Sequence, residues 1–200
     1  LLLPRLTDNE RVLAEAYELL TDAVARGRQI TPAAEWLLDN YHLIEEQIRT
    51  ARLHLPRAYR NELPRLVNGP PGAPRVYTLA LELISHADGR VDLDAIRGFI
   101  SAYQATQPLR LGELWAIPIM LRLALIENMR RVVEDVVEGR LDRERAGMWA
   151  ERLLEVATGN PSGVVLVLAE MIADDPPLTN AFVAELARRL LGQGSVSYTH

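Results

Sequence analysis

The chain has 200 residues, which is enough for one domain and tight for two. Apolar residues make up 48% and charged residues 24%, as in ordinary globular proteins. Cysteine is absent and all 22 basic residues are arginine, which excludes disulfide frameworks, thiolate metal sites and lysine-based chemistry. The net charge of -5 gives no electrostatic reason to expect nucleic-acid binding.

The start of the chain and its apolar stretches bear on whether it is a soluble segment. The chain begins with Leu1 rather than Met, and the three leading leucines are too short for the apolar region of a signal peptide. The longest apolar stretch, 114–126, is interrupted by Arg122 and falls short of the roughly 20 residues that cross a bilayer. We therefore expect a soluble segment of a longer protein.

Apolar residues recur three and four positions apart along most of the chain, and this spacing predicts helices throughout. The run Val164–Val167 is the best strand candidate, but it stands between helical signals. The predicted helices cover approximately 7–24, 31–53, 56–64, 74–86, 92–107, 111–138, 142–159, 160–174 and 179–191. We predict an all-α fold of about nine helices, packed as helical hairpins in an irregular bundle or a short solenoid-like array.

Capping and breaking residues set the predicted boundaries. Gly27 follows the first helix, and Thr31 caps the second ahead of a proline. Pro118 lies inside a long helix and should kink it. Gly139 is predicted to end that helix, and Asp142 to cap the next one. We expect residues 1–192 to form a single helical domain and residues 193–200 a frayed tail.

The sequence offers no convincing metal site. Residues 88–94 resemble a calcium loop only faintly, because an arginine and a leucine occupy positions that need an oxygen ligand and a glycine. Asp92 and Asp94 match the Asp-x-Asp pair of many glycosyltransferases, but we interpret them as an N-cap and a first-turn acid. Zinc-type spacing is missing among the four histidines His42, His54, His86 and His200. We expect neither a metal nor a cofactor in this segment.

The most informative stretch is the predicted helix Trp36–Ile48. Trp36, Asn40, Leu43 and Gln47 share one face with Asp39 at its margin, and a second face is apolar. A helix with apolar residues on two faces should be mostly buried, and its polar groups then need partners. We expect the carboxylates of Asp39 or Glu46 to pair with an arginine, for which the candidates are Arg57, Arg75 and Arg122.

Two interpretations of these polar groups remain open. In the first, which we favour, they fasten neighbouring helices through satisfied internal bonds, and alanine at Asp39 should cost more stability than the ±0.5 kcal/mol usual for surface positions. In the second, they line a sugar-binding cleft. The aromatic side chains that could then stack on sugar are Trp36, Tyr59, Tyr77 and Trp115.

Several ordered motifs resemble a known family. They are Trp36–Gln47, Leu55–Tyr59, Glu62–Pro64, Pro74–Tyr77, Tyr103–Gln104, Gln107–Leu109, and Gly112–Ile117 with Arg122, Glu127, Asn128 and Arg130–Arg131. Together they resemble the soluble helical segment in the N-terminal part of cyclic β-1,2-glucan synthases, which are very large bacterial inner-membrane proteins. The motif-bearing match covers about residues 30–131.

The resemblance implies a place in a protein that makes periplasmic glucan from UDP-glucose. It implies a soluble domain of an inner-membrane protein on the cytoplasmic side, with the transferase and membrane regions of the same chain as partners. The transferase motifs are not found in this segment, so we expect an accessory, non-catalytic domain that acts as a scaffold or docking surface. The alternative is a carbohydrate-binding module that holds the growing β-1,2-glucan. A fragment of an α/α toroid glycosidase is a third hypothesis, for which no carboxylate pair has persuasive geometry.

The resemblance transfers positions rather than catalytic roles. These positions are expected to form either a polar network between helices or a face that meets glucan or a partner. They are Trp36, Asp39, Asn40, Glu46, Gln47, Arg57, Tyr59, Arg75, Tyr77, Glu113, Trp115, Arg122, Glu127 and Asn128.

Overall fold

The computed structural model is described for residues 2–55, 62–66, 72–87 and 92–194. These residues form seven α-helices, one 3-10 helix and no β-strand, which confirms the all-α class. The α-helices are α1 (Leu2–Ala25), α2 (Pro32–His54), α3 (Arg75–His86), α4 (Leu93–Thr106), α5 (Leu111–Gly159), α6 (Val164–Ala173) and α7 (Asn180–Gly194). The 3-10 helix covers Pro161–Gly163.

The described residues contain fewer helices than the nine predicted, chiefly because one predicted break does not exist. Helix α5 continues through Gly139, and the ion pair between Arg140 and Glu144 lies on the turn that follows it. Asp142 therefore caps nothing at that point. Its buried carboxylate instead accepts a 2.7 Å hydrogen bond from the hydroxyl of Thr179. The predicted helix 56–64 lies largely outside the described residues.

Other predicted helix boundaries are confirmed. Gly27 adopts the left-handed conformation that terminates α1, with a φ of 68°. The Thr31 side chain accepts a hydrogen bond from the backbone of Ala34 at the start of α2. Asp92 caps α4 in the same way, and Thr179 caps α7. The strand candidate Val164–Val167 is helical.

The buried stripe of α1 explains how that helix packs. Its buried positions alternate by four and three residues and are Leu2, Leu6, Asn9, Leu13, Ala16, Leu20 and Ala23. This spacing keeps one narrow face toward a neighbouring helix, and α1 packs against α2. The helix begins at Leu2 rather than near Thr7, so Arg5 belongs to it.

Contacts divide the chain into two compact units, Leu1–Glu134 and Asp135–His200, and α5 supplies residues to both. The first unit contains most of the buried apolar side chains. The single domain over residues 1–192 stays a prediction. Of the expected tail, residues 195–200 lie outside the described part of the chain.

We predict that Gly139→Ala stabilises the protein by about 0.5–1 kcal/mol, because glycine is a poor residue in a helix interior. A Cβ at this position would meet Arg143 and Ala181 only at ordinary contact distances of 3.7 and 3.9 Å. The measurement is the free energy of unfolding in urea. The control is Gly27→Ala, which forces an L-residue into a left-handed conformation and should destabilise by about 1 kcal/mol. Destabilisation by both substitutions would show that α5 breaks at Gly139.

Candidate functional site

Two carboxylates are buried among the described residues of the first unit, and both are paired with arginines. Glu113 has no exposed surface and Glu127 is 5% exposed. A buried carboxylate is costly unless it is paired and hydrogen-bonded. Both lie on α5, fourteen residues apart, and each binds residues from other helices.

The first cluster joins the N-terminal ends of α3 and α5. Arg75 is the first residue of α3, and its Nε and Nη2 donate to the two oxygens of Glu113 at 2.9 and 2.6 Å. Its Nη2 also donates to the carbonyl of Pro108 at 3.2 Å. Glu113 in turn accepts a 2.9 Å bond from the backbone of Arg110, which satisfies a donor at the start of α5. The hydrogen bond with Glu113 raises the pKa of Arg75 above its ordinary value.

The second cluster joins α1, α3 and α5 around Glu127. Its carboxylate accepts from Arg5 Nη2 at 2.5 Å, from Asn9 Nδ2 at 3.0 Å and from the Tyr77 hydroxyl at 3.3 Å. Burial by itself would raise the pKa of Glu127, but the hydrogen bonds from Asn9 and Arg5 lower it overall. Burial and the neighbouring Glu127 raise the pKa of Tyr77 to about 12. Arg130 extends the cluster by donating to Asn9 and Asp8.

Sequence reasoning did not single out Arg5, Asn9 or Arg130 as site residues. Arg5 was missed because α1 was expected to begin after it. A signal existed in the sequence, since Asn9 occupies a position in the apolar stripe of α1, where a polar residue needs a buried partner.

The expected burial of α2 is wrong. Only one face of α2 is buried, through residues that include Leu37, Ile44 and Ile48. Asp39, Glu46 and Gln47 are exposed, and Asp39 and Glu46 form no ion pair with a described arginine. The apolar residues on the second face of α2 therefore do not bury that face.

The remaining predicted positions divide into four groups. Arg57 and Tyr59 lie outside the described residues. Trp36 and Trp115 are 50% and 74% exposed. Arg122 and Asn128 on α5 are half-buried, and neither side chain bonds to another described residue, so Arg122 does not pair with Asp39 or Glu46. Asn40 turns its amide back onto the carbonyl of Trp36.

A cavity of about 610 Å³ opens beside Asp39 at the turn between α1 and α2. Its polar lining comes from Arg28, Gln29, Glu35 and Asp39. Trp36 lies one helical turn before Asp39, so its exposed indole and this carboxylate are close along α2. Carboxylates, amides and an exposed indole can bind the hydroxyls and apolar faces of a sugar.

The described part of the chain was searched for metal-binding groups and for membrane-spanning helices, and neither is found there. No three histidine, aspartate or glutamate side chains converge there in a way that could hold a metal ion. Among the same residues, no helix combines the length and the hydrophobicity that a bilayer crossing requires.

Comparison with known proteins confirms the resemblance that the motifs indicate. The chain is 36% identical over 183 residues to the cyclic β-(1,2)-glucan synthase NdvB of Rhizobium meliloti (strain 1021). The aligned region is 92% of this chain and 6% of that protein, so the chain spans a small part of its relative's length. No protein-family profile matches the chain.

We predict that Glu113→Ala destabilises the protein by about 3–5 kcal/mol, because it leaves the buried Arg75 guanidinium without its partner. Asp39→Ala is the matched control and should change stability by no more than about 0.5 kcal/mol, since Asp39 is exposed. Urea unfolding of both variants measures the difference. Equal effects would show that the burial of Glu113 does not govern stability.

Proposed function

We propose that this chain is an accessory, non-catalytic segment of a cyclic β-1,2-glucan synthase that makes periplasmic glucan from UDP-glucose. In this proposal it is a scaffold on the cytoplasmic side that docks onto the transferase and membrane regions of the same protein. The similarity to a glucan synthase covers nearly the whole chain but only a small share of the relative. This coverage supports the proposal that the chain is one segment of a much larger protein. The two buried carboxylates are engaged by arginines, as expected of groups that hold structure together.

The docking proposal is based on the exposed apolar surface of α6. Every residue of α6 except Glu170 is apolar, a composition typical of a fully buried helix. Only Val167 is buried, whereas Val165, Leu166 and Ile172 are each about 70% exposed. These three residues lie within an arc of about 120° of the helix surface, and we call this surface the α6 face. An apolar surface of this kind marks a binding site for another macromolecule.

The chemistry around the α6 face favours a protein partner over an anionic membrane. Asp174 and Asp175 follow the helix directly, and their charges would be repelled by acidic lipid headgroups. Glu170 is already paired with Arg152, so the helix presents little free charge. We therefore assign the α6 face to an apolar surface elsewhere in the synthase.

We predict that Leu166→Glu in the full-length synthase weakens this docking and lowers glucan synthesis from UDP-glucose by about tenfold, since a desolvated anchor of this size is worth about 1.4 kcal/mol or more. Leu53→Glu is the matched control, because Leu53 on α2 is 76% exposed and undergoes the same change. Neither substitution should alter the melting temperature, because both leucines are exposed.

Photo-crosslinking identifies the occupant of the α6 face. A photoactivatable leucine analogue at position 166 of the full-length protein should form crosslinks to the transferase or membrane regions. Crosslinks only to a second copy of this segment, or only to lipid, would overturn the assignment. Equal activity of the Leu166→Glu and Leu53→Glu proteins would do so as well.

The cavity beside Asp39 supports a second candidate, a carbohydrate-binding module that holds the growing β-1,2-glucan. Its carboxylates and amide form a polar lining suited to sugar hydroxyls, and Trp36, which does not itself line the cavity, exposes its indole one helical turn before Asp39. Tyr77 takes no part in this candidate, since it is 2% exposed and bonded to Glu127.

If the second candidate is correct, titration of the chain with β-1,2-glucan should change tryptophan fluorescence. Trp36→Phe should remove most of that change, and Asp39→Asn should weaken binding by about tenfold. Trp115→Phe serves as the matched control, because Trp115 is exposed on α5 and does not line this cavity. An unchanged signal during the titration, or equal losses in the two tryptophan variants, would exclude the cavity as a glucan site.

A further inference from the structure

The first part of α5 carries a second row of apolar side chains, on the side of the helix away from the core. Within residues 111–132 the core side is buried through residues that include Ala116, Met120 and Leu123. The opposite side presents seven positions that alternate by four and three residues along the helix. They are Leu111, Trp115, Pro118, Arg122, Leu125, Met129 and Val132, and we call them the α5 stripe.

The α5 stripe has the spacing and the exposure of a surface that packs against another helix. Leu111 and Trp115 are 70% and 74% exposed, and Val132 is 46% exposed. Apolar residues three and four positions apart over three heptads are typical of helix-on-helix packing. At 1.5 Å per residue the stripe is about 32 Å long, which matches a partner helix of about six turns. An exposed apolar row of this length indicates a docking site for a macromolecule.

Arg122 at the centre of the α5 stripe selects the chemistry of the partner. It is the fourth of the seven positions and the charged one among six apolar residues. Its side chain is half-buried and bonds to no other described residue. A helix that covered the stripe would remove this guanidinium from water, and a buried charge without a partner is strongly unfavourable. The covering helix must therefore supply a carboxylate, which a guanidinium binds through two parallel hydrogen bonds.

A second copy of the chain does not meet this requirement. Because Arg122 is the middle position, two stripes in full overlap bring Arg122 against Arg122 in both the parallel and the antiparallel arrangement. Like charges that meet in an interface disfavour it. A membrane surface is disfavoured as well, because a helix lying with this stripe toward the acyl chains would place the arginine at the middle of its apolar side.

We propose that the α5 stripe docks an amphipathic helix from a part of the synthase outside this chain. The partner helix has apolar residues at the same spacing and an aspartate or glutamate opposite Arg122. The aligned region is 6% of the related glucan synthase, so most of that protein lies outside the segment described here. The α5 stripe and the α6 face share no residue, so either assignment can fail without the other.

The test is fluorescence anisotropy of a labelled synthetic peptide titrated with the 200-residue chain. The 22-residue peptide carries leucine at six positions of the same spacing and glutamate at the central one. Glutamine in place of that glutamate should weaken binding by about tenfold. Arg122→Glu should weaken binding of the glutamate peptide at least as much, and it should bind a peptide with lysine at the central position more tightly than the wild-type chain does.

Two matched controls separate the stripe from general effects of charge and hydrophobicity. Arg49→Glu makes the same charge change at an exposed arginine of α2 and should bind the glutamate peptide as the wild-type chain does. Trp115→Ala should weaken binding about tenfold or more, whereas Leu53→Ala, at a residue 76% exposed on α2, should not. Unchanged melting temperatures of these variants show that any loss of binding is local.

Several results would overturn the proposal. They are no binding of the glutamate peptide, equal affinities for the glutamate and glutamine peptides, equal weakening in the Arg122 and Arg49 variants, and retention of the chain by phosphatidylglycerol vesicles but not by the peptide. In the full-length synthase, a photoactivatable phenylalanine analogue at position 115 should form crosslinks to a segment with this spacing and a central acid. Crosslinks only to a second copy of the stripe, or only to lipid, would contradict the assignment.

Discussion

The buried carboxylates of α5 constrain the first unit more than any other interaction. Apolar contacts tolerate small shifts of one helix along another, because any nearby apolar surface will serve. The buried Glu127 does not tolerate such shifts, because its carboxylate oxygens must stay at hydrogen-bond distance from Arg5, Asn9 and Tyr77. The register of α1, α3 and α5 is therefore fixed by charge, while the apolar residues around it supply most of the free energy of folding.

Features of this structure that depend on residues close together in the sequence could be predicted, whereas those that depend on distant residues could not. The helical class, the Thr31 and Asp92 caps and the glycine after α1 were predictable because each depends on residues within one turn. The continuity of α5 through Gly139 could not be predicted. When no proline follows, the sequence does not distinguish a glycine inside a helix from a glycine just past its end.

The choice of partners for the arginines was the least predictable step. Arg75 was a candidate partner for Asp39, but it binds Glu113, which lies 38 residues away at the start of another helix. Spacing within a helix says which side chains share a face, but it does not say which face meets another element. The acids of α2 remained in solvent for this reason, whereas Glu113 and Glu127, which the family resemblance singled out without assigning roles, hold the helices together.

The position of Tyr77 also sets an alkaline limit for the first unit. Its phenol keeps its proton to about pH 12 in the folded state, because ionisation would place a second negative charge beside Glu127 in a buried site. An unfolded tyrosine ionises near pH 10, so the unfolded chain is favoured progressively as the pH rises from 10 toward 12. The arginines stay charged over that range and the chain has no lysine to lose its charge first. Ionisation of this buried phenol therefore weakens the cluster of α1, α3 and α5 in strongly basic solution.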